Sequence, residues 1–101
     1  MAFLVAVGAA ESGRPTLVFL SKEAVRLALE GVAAGVACEG CPPLRDLLAR
    51  YEKADGRFMV CPVCFNAKHL DKAGLLANAE LAGTVQLWEW IGDDGATTFS
   101  Y

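Results

Sequence analysis

Phe58-Met59-Val60-Cys61-Pro62-Val63-Cys64 is an apolar run that closes on a thiol, a proline and a second thiol three residues on. A short continuous apolar run has the pattern of a strand covered on both faces. Pro62 then brings the fixed φ and the missing N–H that suit the first turn of a helix. Residues 57–61 therefore read as a core strand that hands over directly to a helix, with Cys61 at the junction and Cys64 one turn further on. A β-then-α step of this kind is the building block of parallel α/β sheets.

Working outward toward the N-terminus, the same step occurs a second time. Thr16-Leu17-Val18-Phe19-Leu20 is another short apolar run, and Ser21 follows it as an N-cap. Val25, Ala28, Leu29 and Val32 recur at helical spacing, and Gly31 and Gly35 mark the helix end. Between the two steps, Leu44, Leu47, Leu48 and Tyr51 occupy i, i+3, i+4 and i+7 of an amphipathic helix. Pro43 suits its first position, Asp46 and Arg50 have the spacing of an i, i+4 ion pair, and Gly56 fits the C-terminal cap. Residues 2–10 have no polar face, so periodicity does not separate helix from strand there, and Ser12-Gly13-Arg14-Pro15 stops whichever it is.

Toward the C-terminus, Asp71 reads as an N-cap, and Leu75, Leu76, Ala79 and Leu81 follow, interrupted by Gly74 and Gly83. Val85, Leu87, Trp88, Trp90 and Ile91 place apolar groups all round a short helix. Trp88 and Trp90 stand two apart and so point to nearly opposite sides, one toward the core and one toward another subunit. Asp93-Asp94-Gly95 is a turn, and residues 96–101 favour a final strand.

The chain has 101 residues, enough for one domain spanning 1–101. A net charge of -3 with scattered Lys and Arg excludes a basic stripe, and with it nucleic acid as a partner. Met1 to Ala10 is too short to cross a bilayer and lacks a basic flank, which predicts no membrane association and a cytoplasmic protein. Four cysteines in a reducing compartment point to metal or redox chemistry before structural disulfides. The high apolar fraction, 54%, leaves surface for self-association.

Several segments together resemble the DsrE-like family of small α/β sulfur-metabolism proteins. They are Phe19-Leu20-Ser21 with residues 23–28 and Gly31, Pro43-Leu44 with Leu47-Leu48, Val60 to Cys64 with Ala67-Lys68, and Ala79-Glu80, Gly83 and Thr98 to Tyr101. The resemblance covers nearly the whole chain and rests on order and spacing. It implies a three-layer α/β/α domain with a mainly parallel sheet, makes residues 2–11 the family's first helix, and makes Ala79-Glu80 and Gly83 part of its closing helix. It also implies homo-oligomers, trimers or hexamers, that exchange sulfur with donor and acceptor proteins. The family begins with a strand and a polar loop for which nothing stands before Met1. Where it often has Arg-Gly, this chain has Lys68-His69.

By the same resemblance Cys61 accepts sulfane sulfur as a persulfide and passes it on, a sulfurtransferase-like role. A thiol between strand end and helix start is placed for thiolate formation. Cys64 is placed to resolve the persulfide or to form a disulfide with Cys61, and Lys68 and His69 stand close enough in sequence to stabilise a thiolate or move a proton. No cofactor is implied.

Cys38 and Cys41 open a rival reading. C-x2-C, nineteen residues, then C-x2-C is also the spacing of a four-thiolate zinc site formed by Cys38, Cys41, Cys61 and Cys64. Against a zinc ribbon, an amphipathic helix and a core strand separate the pairs. In a parallel α/β sheet the loops at the carboxyl ends of strands gather on one edge, so the four thiols are expected to cluster, as a redox relay or around a metal. Thioredoxin-like oxidoreductases also place Cys-Pro-x-Cys at a strand–helix junction, but no proline follows Cys64 to serve as their later cis-proline.

Overall fold

The computed structural model describes residues 2–35, 40, 42–93, 97, 98 and 100. Both apolar runs form strands, β1 (Leu17–Leu20) and β2 (Arg57–Val60), and they pair in parallel with Leu20 opposite Val60. A third strand, β3 (Ala79–Leu81), pairs in parallel with the other edge of β2, giving the order β1-β2-β3. The helix expected to include Ala79 and Glu80 is thus not formed. The Phe58 N–H donates to the Asn78 carbonyl (2.9 Å) and the Ala82 N–H to the Val60 carbonyl (3.1 Å), so the open edge of β2 takes this segment as a strand.

Strand register decides which side chains share a face. Val18, Leu20, Phe58, Val60, Ala79 and Leu81 lie together on one face and pack into the main core. Helices α1 (Ala2–Glu11), α2 (Leu44–Lys53) and α3 (Pro62–Ala67) contribute Val7, Tyr51 and Phe65 to it. Phe58 is gripped from both sides, its ring 6.1 Å from that of Phe3 and 4.9 Å from that of Tyr51. Leu17, Phe19 and Met59 occupy the opposite face outside this core, where Arg57 and Glu80 pair at 3.9 Å. With α4 (Thr84–Ile91) after β3, the arrangement is the expected three-layer α/β/α domain on a parallel sheet.

The first helix forms as expected, and so does α2, where Pro43 stands just before the first helical residue. The predicted helix after β1 is instead a 3-10 helix (Lys22–Ala28) followed by a second short one (Val32–Gly35). Ser21 makes no side-chain cap bond. Downstream, Leu29 is drawn into an antiparallel bridge with Leu75, flanked by Leu76 N–H to Ala28 carbonyl and Glu30 N–H to Gly74 carbonyl, both 2.8 Å. These tertiary bonds compete with continuation of the helix. Asp71 does cap a 3-10 turn (Lys72–Gly74), its carboxylate accepting from the Ala73 N–H at 2.9 Å.

Three smaller expectations are corrected. Arg50 pairs not with Asp46 but with Glu11 of α1, in a two-pronged contact at 2.7 and 3.1 Å, because the packing of α1 on α2 brings that carboxylate closer than the helical neighbour. Gly56 is not the left-handed residue that ends α2; Asp55 is, at φ 64°, with its N–H bonded to the Glu52 carbonyl and the Gly56 N–H bonded to that of Tyr51. Both tryptophans of α4 are exposed, Trp88 at 68% and Trp90 at 39%, so neither enters the core. Of the expected strand over 96–101, residues 96, 99 and 101 lie outside the described residues, and Thr97, Thr98 and Ser100 have no regular structure.

Candidate functional site

Parallel pairing ends β1 and β2 side by side, so whatever follows Leu20 meets whatever follows Val60. The Cys61 N–H extends the ladder by donating to the Leu20 carbonyl at 2.9 Å. Its own carbonyl then accepts the first helical bond of α3, from Phe65 N–H at 2.9 Å. Cys61 is thus the N-cap of α3, Pro62 is its first residue, and the fully buried Phe65 pins the helix to the core. Cys64, at the third helical position, is turned back toward the N-cap side chain. Both thiols are free and half-buried, with the exposed Val63 between them, at 77%.

Cys64 is the thiol whose surroundings favour its ionised form. Hydrogen bonding to the Lys22 backbone, hydrogen bonding with the Cys61 side chain and the positive charges of Lys22 and Lys68 hold its pKa below the ordinary thiol value, against a desolvation that raises it. Helix α3 has only six residues, which leaves local donors rather than a helix dipole to do this. Lys22 takes a left-handed conformation, φ 55°, which a residue with a Cβ adopts at a cost of about 1 kcal/mol.

Lys68 closes α3 and reaches across to the 3-10 helix, where its Nζ bonds Glu23 Oε1 at 2.5 Å. Glu23 also accepts from Arg26 Nε at 3.1 Å, and the two cations hold its carboxyl below the usual range, the Lys68 bond contributing most. His69 is exposed and does not figure among the groups acting on Cys64. Its backbone takes φ 54°, with His69 N–H bonded to the Asn66 carbonyl at 3.0 Å and Leu70 N–H to that of Phe65 at 3.4 Å. The turn that a glycine would make is therefore kept without one.

The structure brings together Cys61, Cys64 and Lys68 of the expected site residues. Cys38 and Cys41 lie outside the described residues, and so does the expected clustering of four thiols; among the described residues no three potential metal ligands come together. Lys22 and Glu23 were not expected at the site. The signal for them was their position directly after a buried strand whose carboxyl end neighbours that of β2.

Among the described residues no helix is long and apolar enough to cross a membrane. No curated protein sequence matches the chain. Among solved structures, the ychN protein from E. coli superposes with a TM-score of 0.68 at 19% identity, over 88% of this chain and 74% of that one, which shows a shared fold. A sequence profile matches residues 1–99 from end to end of the architecture just described, and the chain belongs to the DsrE/DsrF-like family.

Proposed function

We propose that this protein is a small sulfur-relay protein that carries sulfane sulfur as a persulfide on Cys61, with Cys64 as its working partner. Family membership supports a sulfur-relay role. The observation that carries the finer reading is the placement of two free, half-buried thiols one helical turn apart at the junction of β2 and α3, with the Cys64 pKa held below the ordinary thiol value. Cys64 is placed to take the proton of Cys61, and Cys61 then becomes the nucleophile. Cys61 sulfur attacks the outer sulfur of a donor persulfide, the S–S bond of the donor breaks, and the donor leaves as thiolate. The persulfide then passes to an acceptor thiol by the same exchange. When no acceptor is present, Cys64 thiolate attacks the Cys61 sulfur, hydrosulfide leaves with the bonding pair, and a Cys61–Cys64 disulfide remains.

Donor and acceptor are proteins or small thiols of a reducing compartment, which fits a cytoplasmic carrier. The exposed Val85 and Trp88 on α4 suit self-association into trimers or hexamers. Intact mass after exposure to a persulfide donor tests the proposal. One added sulfur is expected to persist on Cys64→Ser, added sulfur or a Cys61–Cys64 disulfide with released sulfide on the unsubstituted protein, and neither on Cys61→Ser. No added sulfur on Cys64→Ser, with neither product on the unsubstituted protein, sinks it.

A further inference from the structure

We propose that Cys61 and Cys64 together form a two-coordinate site for a soft monovalent metal ion, Cu(I), held between their sulfurs as a bis-thiolate. Metal binding of this kind goes beyond the carrier reading and does not depend on it, because it needs the two thiols and no sulfur donor.

Three observations converge on it. Cys61 is the N-cap of α3 and Cys64 its third residue, the two positions whose side chains face each other at a helix start, and the Phe65 N–H bond to the Cys61 carbonyl at 2.9 Å fixes that turn. Residues three apart on a helix hold their Cβ atoms about 5–6 Å apart, and two metal–thiolate bonds of about 2.3 Å each close such a gap. Both thiols are also free, and both pack against the apolar core, where Val60 and Phe65 are fully buried. A metal ion between them has an apolar wall on its inner side in place of water. Finally, the described residues supply no third ligand: no three of His, Cys, Asp and Glu come together, and Met59, the nearest soft donor along the strand, lies outside the core on which both thiols rest.

Two thiolates with no oxygen or nitrogen donor decide the class of metal. Structural zinc takes four ligands, calcium and magnesium take oxygen, and soft thiolates select Cu(I), whose filled d shell is satisfied by two sulfurs in line. Binding exchanges protons for metal. Both S–H bonds break, two protons pass to the buffer, two Cu–S bonds form, and the complex carries one negative charge; no electron changes hands.

Two measurements on the full chain test this. The first is peptide-resolved alkylation of the reduced, unsubstituted protein under nitrogen, which needs no variant. With one equivalent of Cu(I), delivered as its bicinchoninate complex, Cys61 and Cys64 are expected to be protected together and ahead of Cys38 and Cys41. Protection of Cys38 and Cys41 first, of all four thiols as a set, or of neither pair overturns the proposal. The second is competition against bicinchoninate, followed by the absorbance of its copper complex. Protein carrying Cys38→Ser and Cys41→Ser, checked for unchanged thermal unfolding, is expected to take one Cu(I) per chain. Adding Cys61→Ser or Cys64→Ser to it is expected to weaken binding by about a hundredfold, as when a two-point attachment becomes single. Binding that neither further substitution weakens, or that is already lost without Cys38 and Cys41, overturns it. Sulfur loading of Cys61, read by intact mass on metal-free protein, is unaffected by failure here, so the two readings fall separately.

Discussion

The ring of Tyr51 occupies the space that a side chain on Gly56 would need. Tyr51 is fully buried, and its hydroxyl donates to the Arg57 carbonyl at 2.7 Å and lies 3.2 Å from that of Thr16, so the ring has nowhere to retreat. Gly56→Ala is expected to destabilise the fold by about 2–3 kcal/mol through overpacking. Urea unfolding would show it as a lower midpoint at unchanged slope; a midpoint within error of the unsubstituted protein would mean that the ring yields.

The same tyrosine predicts an alkaline limit. Burial pushes its phenol up to about 12, with backbone hydrogen bonding at Arg57 and Val18 opposing only in part. Unfolded Tyr ionises near pH 10, so between about pH 10 and 12 the unfolded chain has already released a proton that the folded one keeps. Stability therefore falls with rising pH in that window. Tyr51→Phe should remove this slope in unfolding experiments at pH 9 to 12, while costing stability at neutral pH through the lost hydroxyl bonds.

At the end of α3 the strain can be relieved. His69 sits in the left-handed region, which glycine enters freely. His69→Gly is expected to raise stability by up to about 1 kcal/mol, whereas His69→Ala gains nothing because alanine keeps the Cβ. A calorimetric melting temperature that moves equally for both would show that backbone conformation is not the cause.

Cys64 makes a pH prediction. Its pKa is lowered chiefly by hydrogen bonding to the Lys22 backbone and with the Cys61 side chain, so its alkylation should already be half-maximal below the pH at which an ordinary thiol, near 8.5, reaches that point. Cys61→Ala removes a hydrogen-bonding group and Lys68→Met a charge, and each should move the midpoint upward. Because the folded state favours the thiolate, it also releases the Cys64 proton more readily than the unfolded chain, so the associated stability appears above the folded midpoint and is lost below it. Peptide-resolved alkylation against pH reads this directly.

The sequence made some of this plain. Helix α2 was legible because four apolar residues at helical spacing face four or more charged ones, and the two long strands because their apolar runs admit little else. β3 was hidden by its brevity and by the exposed Glu80, which breaks the apolar pattern and pairs with Arg57 across the sheet. The 3-10 geometry after β1 comes from tertiary bonds at Leu29 and Glu30 that no local pattern records. The thiol pair was visible in the motif. Lys22 was not, since its role depends on a positive φ and on a register between strands whose paired residues, such as Leu20 and Val60, lie 40 apart in sequence.

That register has a consequence for how the protein tolerates change. The neighbourhood of Lys22 and Cys64 is inherited from the backbone ladder, through the Leu20–Val60 pairing and the Cys61 N–H bond to the Leu20 carbonyl. Drift on the outer faces of α1, α2 and α4 leaves it untouched. An insertion or deletion of a single residue within β1 or β2 would uncouple the two halves of the centre while leaving every functional side chain in the sequence, so a comparison of residues alone would miss the loss.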